Sequence, residues 1–451
     1  MLILGFLFII AVVVAFGLAL LRPWFCFVLL IGFVPIEGVI QTYFPFFASD
    51  ANRPLLNYTV ALTGAATVAI RFFREPDSFR NAVNPVLVLV IILQFLGYAA
   101  LLWTPDYSNG LALTWSKAPY SLLYLLLTPL LISTLPEFGR ARIPFIFVST
   151  TVLLFLVASP NVRFENARLV NYIGAGMKTG VLANGQLGVL VLIFVALMTY
   201  QGTRKLVFPL AAFAALYGLG IGFYTGARGQ VMAGILVVFL AYPFARRIKN
   251  FGNFMTIGAG LGIFLLLMVL SIRFFIGDGN ADRWTFESLA SGGGRAEIVG
   301  VSLAAYLSNP GAWLLGAGTG SFSELMNNEH VYPHNYFVEA LLELGLVGFG
   351  VYLAILVLVA RSAYQLYVRH REDDKLRPVV VLLIAVSIFV FLISLKQGTV
   401  HSPGHTFVWF LLIARMNARD LSEESRELQV DEPPFDGYEE PEHMDERLEH
   451  A

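Results

Sequence analysis

The stretch Val331-Tyr-Pro-His-Asn-Tyr-Phe-Val-Glu-Ala-Leu-Leu-Glu-Leu-Gly-Leu-Val-Gly348 joins a long polar loop to an apolar segment. Residues 336–360 are apolar enough to cross a bilayer as a helix, which requires about 20 residues. Pro333 can open that helix, because its missing N–H would be unpaired in a first turn. The stretch therefore predicts His334 at the water interface of a transmembrane helix, at the rim of an active site.

Two acidic residues follow on one face of the predicted helix. At about 1.5 Å rise per residue, Glu343 lies roughly 13 Å beyond His334. An unpaired carboxylate at that depth is costly. A structural role is favoured over a catalytic one. In the structural role, Glu339 and Glu343 orient His334 or bridge to Arg228 or Lys396.

Composition places the chain in the class of helical membrane proteins. Its 451 residues are 57% hydrophobic and only 14% charged, and its mean hydropathy is +0.71. The apolar runs are too long and continuous for the alternating strands of a membrane β-barrel. A net charge of −1 indicates no nucleic-acid partner. The single Cys26 excludes an intrachain disulfide and a thiolate metal cluster, and no cleaved signal peptide is expected.

The apolar runs predict an all-α, polytopic fold of about twelve transmembrane helices. The predicted spans are 2–21, 24–43, 55–71, 85–103, 119–134, 143–158, 180–200, 206–225, 229–245, 254–275, 336–360, 378–395 and 405–416. Val34-Pro-Ile-Glu-Gly38 interrupts the second run, and a re-entrant second span would change where the N-terminus lies. That orientation stays open.

Charge predicts the sidedness of the connections. Basic residues cluster in alternate short connections, which the positive-inside rule places in the cytoplasm together with the C-terminus: Arg71/Arg74/Arg80, Arg140/Arg142, Arg204/Lys205, Arg246/Arg247/Lys249 and 361–377. The outward segments are then 44–54, 104–118, 159–179, 226–229, 277–335 and 396–404.

Four regions follow from this pattern. Residues 1–276 are transmembrane helices, and 277–335 form a cap over the outer face with a helix at 296–307. Residues 336–416 form the C-terminal transmembrane helices. Residues 417–451, rich in Glu, Asp and Pro, are expected to be a disordered acidic tail in the cytoplasm.

Arg228 lies in a connection so short that its guanidinium must sit at or just below the outer surface. A membrane-anchoring arginine is the simpler interpretation. However, Gly226 and Gly229 flank it and would let a phosphate approach the backbone. Charge within a membrane is functional by default, so the pattern favours ligand binding.

Arg295 follows three glycines and opens the predicted cap helix. There, helix N–H groups and a guanidinium together suit a phosphate. A salt bridge to Glu297 or Glu287 is the alternative. Arg273 and Arg283 are weaker candidates for phosphate binding.

The segment Gly316-Ala-Gly-Thr-Gly320 superficially resembles a phosphate-binding loop. It lacks a following Gly-Lys-Ser/Thr and a preceding parallel strand, so a turn is predicted instead. His330/His334 and His401/His405 are each four residues apart, but neither pair lies within one predicted helix, and the outer segments carry no Asp-x-Asp pair. Neither a metal nor a cofactor is expected.

The combination of Pro-His-Asn and Glu-Leu-Gly-Leu-Val-Gly, preceded by Gly-Ala-Gly-Thr-Gly-Ser-Phe and an outer arginine, resembles the O-antigen ligase superfamily. The resemblance covers roughly residues 178 to 416. That superfamily includes lipopolysaccharide O-antigen ligases, O-antigen polymerases and protein O-oligosaccharyltransferases. It implies a GT-C-like glycosyltransferase with Arg228, Arg295 and His334 as catalytic residues. This chain has Gly-Ala-Arg-Gly where Ser-Arg is commoner.

The resemblance implies a multi-pass inner-membrane enzyme with a periplasmic active site. It would transfer a glycan from undecaprenyl pyrophosphate to a sugar hydroxyl of lipid A-core, with inversion at the anomeric carbon. His334 would be the base, Arg228 and Arg295 would bind pyrophosphate, and Asn335 would help bind substrate. The partners are the lipid-linked donor, the lipid A-core acceptor and membrane lipids. The alternatives are polymerase, protein O-oligosaccharyltransferase and, outside the enzymes, a lipid-linked glycan flippase.

Overall fold

The structure is a computed structural model that describes nearly all of the chain up to residue 246 and most of 295–430. The described ranges are 2–49, 52–159, 161–165, 168–173, 177–178, 181–198, 204–246, 295–325, 333–397, 399 and 404–430, with a few single positions between 252 and 270. Arg273 and Arg283 lie outside the described residues, as does most of the predicted span 254–275.

The described chain is almost entirely helical, as predicted. The first seven helices are α1 (Leu2–Leu21), α2 (Pro23–Ile31), α3 (Phe33–Tyr43), α4 (Arg53–Arg74), α5 (Pro85–Ala99), α6 (Tyr107–Leu130) and α7 (Leu135–Val157). The later helices are α8 (Val181–Leu197), α9 (Arg204–Tyr224), α10 (Arg228–Arg246), α11 (Arg295–Leu307), α12 (Ser321–Leu325), α13 (Tyr336–His370), α14 (Arg377–Gln397) and α15 (Gly404–Val430).

A small antiparallel sheet is an addition to the predicted all-α fold. Its strands are β1 (Val162–Glu165), β2 (Arg168–Ile173) and β3 (Met177–Lys178), in the order β1-β2-β3. Arg163 pairs with Val170 across the first hairpin. The sheet lies within the segment 159–179, which the sequence predicts to be an outer connection.

Seven described helices are long and apolar enough to cross a membrane, and the bent pair α2–α3 makes up to eight. The seven are Pro54–Arg74, Pro85–Leu102, Leu135–Val157, Val207–Tyr224, Arg228–Arg246, Tyr336–His370 and Arg377–Gln397. The chain is therefore a polytopic helical membrane protein. The larger number of about twelve spans stays a prediction.

Helix α14 lies at the centre of the bundle. Val380, Leu382, Leu383 and Phe389 are completely buried, and the helix packs against α8, α10, α13 and α15. A helix that is apolar on all sides is typical of such a position. Its C-terminal residues thereby meet the starts of several other helices.

Arginine hydrogen bonds to carbonyls gather several helix ends at one end of the bundle. Arg246 donates to the Met198 carbonyl at 2.6 Å, and Arg415 donates to the carbonyls of Pro129 and Ile132. We call this end the basic end, defined by Arg71, Arg246, Arg377 and Arg415. The opposite end, defined by Arg168, Arg228 and His334, is the histidine end. The positive-inside rule predicts that the basic end is cytoplasmic.

The bent pair α2–α3 crosses the bundle. The two helices meet at Gly32 at an angle of 69°. Tyr43, at the end of α3, donates to the Phe155 carbonyl near the end of α7 at 3.1 Å. Thr67 donates to the Ala19 carbonyl at 3.3 Å, which ties the end of α1 to the last turns of α4. The last turn of α1 therefore lies near the basic end.

Two predicted boundaries need correction. Helix α6 begins at Tyr107, so most of the predicted outer connection 104–118 is helical, because Asp106 caps the helix by accepting from Asn109 N at 3.0 Å. Helix α15 continues to Val430, so the predicted disorder from residue 417 is wrong for 417–430. The pair His370–Asp420 holds that extension at 2.7 Å.

Candidate functional site

Helix α13 starts at Tyr336, three residues later than an opening Pro333 would place it. Asn335 is the N-cap, and its Oδ1 accepts from Phe337 N at 3.0 Å and Val338 N at 3.3 Å. Pro333 precedes the cap, so its predicted role as the first helical residue is wrong. Asparagine is among the best N-cap residues because its side chain satisfies N–H groups of the first turn.

His334 has a φ of +56°, in the left-handed region. Residues other than glycine rarely adopt this conformation, and they concentrate at functional sites. It turns the chain directly before the cap, so His334 lies at the mouth of α13. The location of His334 at the water interface stays a prediction.

Helix α13 is broken at Gly345, which has a φ of 66° and a ψ of −163°. The break diverts backbone groups from the helix to the segment 313–318. Four hydrogen bonds join the two segments: Ala317 N to Leu342 O at 2.8 Å, Gly318 N to Glu343 O at 3.1 Å, Leu346 N to Trp313 O at 2.8 Å and Val347 N to Leu314 O at 3.1 Å. We call these two segments the backbone clasp.

Glycine is required on both sides of the backbone clasp. Gly316 has a φ of 77°, and a Cβ added there would overlap the Glu343 carbonyl. A Cβ added at Gly345 would overlap the Gly316 N atom. The glycine-rich segment thus closes a broken helix, which agrees with the turn expected from the sequence.

The glycine-rich segment also contacts the connection between α5 and α6. Thr319 donates from its hydroxyl to the Gly97 carbonyl at 2.6 Å, and Thr104 donates to the Thr319 carbonyl at 2.7 Å. Asn109 donates to the Ser323 hydroxyl at 2.5 Å. The described cap residues therefore sit at the histidine end.

Glu339 and Glu343 are both buried within the first half of α13, at 0% and 1% exposure. The Thr399 hydroxyl donates to Glu339 Oε1 at 2.6 Å. Both carboxylates have interaction partners. The role predicted for them, to orient His334 or to bridge to Arg228 or Lys396, stays a prediction.

Arg228 is the first residue of α10, and the chain around it is packed by other basic residues. A Cβ added at Gly229 would overlap the Lys396 side chain at the end of α14. In the next position, Gln230 Nε2 donates to Gln397 Oε1 at 3.0 Å. Arg228 and Lys396 both have interaction partners. The end of α14 therefore lies against the first turn of α10.

The expected ligand space above Gly226 and Gly229 is occupied by side chains of the protein. Lys396 covers Gly229, and Arg168 covers Gly226, whose φ is +69°. The Cγ and Cδ of Arg168 are 3.4 Å, and its Nε 3.2 Å, from where a Gly226 Cβ would be. In this structure the side chains of Lys396 and Arg168 therefore cover the two glycines, where the sequence predicts open backbone.

Arg168 was missed by the sequence reasoning. It is the first residue of β2, in the predicted outer segment 159–179. The signal that could have found it is its positive charge in an outward segment. The positive-inside rule makes arginine uncommon in such segments. Its contact with Gly226 joins residues far apart in sequence and has no local signature.

Arg295 begins α11, as predicted for the cap helix. Ile298 of α11 packs on a cluster that contains Tyr306, Phe322 and Leu342, so the helix lies against the start of α13. The side chain of Arg295 is not among those described. The contact between α11 and α13 places the Arg295 backbone at the histidine end.

The structure brings several predicted site residues into one connected region. Lys396 reaches the start of α10 beside Arg228, and Thr399, three residues later, bonds Glu339 of α13. Glu339 lies one turn after Asn335, which follows His334. This chain of contacts joins the starts of α10 and α13 through residues 396–399. Among the described residues, no group of three His, Cys, Asp or Glu side chains could hold a metal ion.

These observations define the class of the protein as a polytopic helical membrane protein with a basic and histidine-containing site at one end of its bundle. Comparison of the chain with known protein families and with curated proteins gave no match.

Proposed function

We propose that the protein transfers a glycan from undecaprenyl pyrophosphate to a sugar hydroxyl of lipid A-core, on the periplasmic face of the inner membrane. The proposal comes from the sequence resemblance to O-antigen ligases. The observation that carries it is the joining of the starts of α10 and α13, with Arg228 and His334, through Lys396 and Thr399.

In the proposed reaction the acceptor oxygen attacks the anomeric carbon of the donor sugar. The acceptor proton passes to His334, and the carbon–oxygen bond to pyrophosphate breaks. The bonding electron pair leaves with the pyrophosphate, whose growing negative charge is stabilised by Arg228 and Arg295. One displacement inverts the anomeric configuration. Neither a metal nor a nucleotide enters the balance, so transfer is expected to survive a chelator.

The left-handed conformation of His334 supports its role as the base. The residue sits directly before the N-cap of α13, where its left-handed turn fixes the chain at the mouth of the helix. A general base must be neutral and within hydrogen-bond reach of the acceptor hydroxyl. Asn335 is occupied as the helix cap, so its contribution to the substrate site is to fix the position of His334.

The test is transfer by the full chain in proteoliposomes, with lipid-linked O-antigen as donor and lipid A-core as acceptor. His334→Ala is expected to reduce the rate by about 10²–10⁴-fold, as is typical when a general base is removed. His370→Ala is the matched control, because His370 bonds Asp420 at the basic end. Equal transfer rates for the wild type and the His334 variant would mean that His334 lies at the start of the helix without acting as the base.

O-antigen polymerase and protein O-oligosaccharyltransferase remain alternatives that share this chemistry. They differ only in the acceptor, which is another lipid-linked glycan or a protein hydroxyl. The same proteoliposomes, supplied with each acceptor in turn, separate the three. Product formation with lipid A-core and neither of the others is the result expected for the ligase.

One observation favours the flippase alternative. Glu37 is buried in α3, accepts from Gln41 at 2.8 Å and lies just after the 69° bend with α2. Broken helices and buried charge are typical of transporters. Movement of a fluorescent lipid-linked glycan between leaflets, abolished by Glu37→Gln and unaffected by His334→Ala, would favour that alternative.

A further inference from the structure

We infer that Arg168 is a binding residue for the pyrophosphate of a polyprenyl-linked glycan, held against the first turn of α10 beside Arg228 and Lys396. The inference rests on the proposed function and adds to it a cation from the β1–β2 hairpin. It also assigns Gln230 to a hydroxyl of the sugar next to the pyrophosphate.

The Arg168 side chain is held in place by packing. Its Cγ, Cδ and Nε lie along the left-handed Gly226, where the Cβ of any other residue would be strained and would meet the Arg168 side chain closely. The Nε atom is buried, and among the described residues it has no hydrogen-bond partner. A buried donor without a partner is costly, and a phosphate oxygen would satisfy it.

The first turn of α10 offers donors of its own. The first N–H groups of a helix have no partner within it and carry the positive end of the helix dipole. Helix N-termini are common anion sites for this reason. The helix begins at Arg228, two residues after Gly226, so the Arg168 side chain lies beside this turn.

Gln230 provides a separate indication of a ligand. Its side chain is 1% exposed, and its Nε2 bonds Gln397. Within the described part of the chain, its Oε1 has no hydrogen-bond partner. Gln230 is the third residue of the helix, and its unpaired Oε1 suits a hydroxyl group as donor. Sugars carry such groups, whereas phosphate diesters do not. A sugar attached to a phosphate satisfies both Gln230 and Arg168.

Charge is consistent with a pyrophosphate in preference to a single phosphate. Three separate segments bring Arg168, Arg228 and Lys396 to the same turn. Two of these, Arg168 and Lys396, pack on glycines three residues apart, Gly226 and Gly229. Two linked phosphates can contact cations on both sides of the turn, whereas one phosphate reaches fewer of them.

The experiment measures binding of polyprenyl pyrophosphate, polyprenyl monophosphate and inorganic pyrophosphate to the full chain in nanodiscs. Arg168→Gln is expected to weaken binding of polyprenyl pyrophosphate about tenfold or more, since a hydrogen bond to a charged group is lost. Arg168→Lys should recover only part of it, because a point charge does not reproduce a guanidinium fork. Arg163→Gln, exposed on the same hairpin, is the matched control and should bind like the wild type.

A second pair of variants tests the sugar contact. Gln230→Met and Gln397→Met both remove the hydrogen bond between the two amides. Gln230→Met alone is expected to weaken binding of the glycan-bearing donor relative to bare polyprenyl pyrophosphate. Equal effects of the two variants on the two probes would overturn the assignment of Gln230.

The outcomes separate this inference from the proposed function. Unchanged pyrophosphate binding in Arg168→Gln, with normal glycan transfer, overturns the Arg168 site and leaves the function standing. If Arg168→Gln weakens pyrophosphate binding and the wild type transfers no glycan, the Arg168 site is supported and the proposed function is rejected. If the wild type binds inorganic pyrophosphate as tightly as the lipid-linked form, the assignment of a lipid-linked ligand is overturned. A wild type that binds none of the probes rejects both.

Discussion

The two ends of the bundle differ in the donors of their described hydrogen bonds between segments, which are mainly arginine side chains at the basic end and hydroxyl, amide and backbone groups at the histidine end. At the basic end, arginine side chains bridge helices: Arg71 donates to Leu131 O, Ser133, Ser78 and Glu137, and Arg415 donates to three carbonyls. At the histidine end, backbone groups of the broken α13 bond directly to the glycine-rich segment.

The difference indicates how charge is used at each end. The arginines of the basic end satisfy carbonyls and carboxylates of the protein, so they build the fold. The backbone clasp stabilises the histidine end through main-chain groups and does not use the Arg168 side chain. Arg168 Nε, which has no hydrogen-bond partner among the described residues, can therefore meet a ligand in a way that Arg71 cannot.

The largest expected effect comes from breaking the backbone clasp. Gly345→Ala places a Cβ on a left-handed backbone and against the Gly316 N atom. Strain and lost backbone hydrogen bonds together should cost more than about 4 kcal/mol. The apparent unfolding temperature of the purified protein should fall sharply, or the protein should fail to fold. Gly350→Ala, where the added Cβ meets nothing within 4 Å, should leave it unchanged or raise it.

The side-chain network of the basic end should show the next largest effect. Arg71→Met removes a buried guanidinium and leaves the partly buried Glu137 without its 2.7 Å ion-pair partner, which should cost about 3 kcal/mol. Arg80→Met removes an exposed pair with Asp77 and should cost less than about 1 kcal/mol. Measured by thermal unfolding, equal losses in the two variants would contradict the structural role given to Arg71.

Substitutions of Asn335 distinguish a helix-capping role from a substrate-binding role. Asn335→Ala should destabilise the protein by about 1 kcal/mol, because the cap of α13 is lost. Asn335→Ser retains a capping oxygen and should restore both the unfolding temperature and glycan transfer. A serine variant that is stable and inactive would show that Asn335 contacts substrate after all.

The smallest effects are expected at two aspartates that accept hydrogen bonds from backbone N–H groups, one at each end. The backbone N–H of Leu376 lowers the pKa of Asp373 at the basic end, and the N–H of Asn109 lowers the pKa of Asp106 at the histidine end. A lowered pKa contributes stability above the pKa of the unfolded carboxyl, and that stability disappears as the pH falls through the folded pKa. Asp373→Ala and Asp106→Ala should each lower the unfolding temperature slightly at neutral pH. The differences from wild type should vanish in acid.

Much of the fold was predictable from local pattern. Apolar runs predicted the helices that start at Tyr336 and Arg377 within a residue, because a chain in lipid must satisfy its backbone internally. The cap helix beginning at Arg295 was also correct. The hairpin containing Arg168 was not predicted, since a short sheet in a connection leaves little periodic signal. The extension of α15 to Val430 depends on contacts such as His370–Asp420, which composition does not reveal.

The sequence by itself determined that this is a polytopic helical membrane protein, that His334 precedes a membrane-length helix and that Arg228 lies at the start of another. Length and hydropathy are local properties, so each segment carries them alone. Only the tertiary structure decided that the broken α13 pairs with residues 313–318, that Lys396 covers Gly229 and that Arg168 covers Gly226. Those contacts join residues distant in sequence, and they depend on how close two backbones can approach, which the packing of the whole bundle sets.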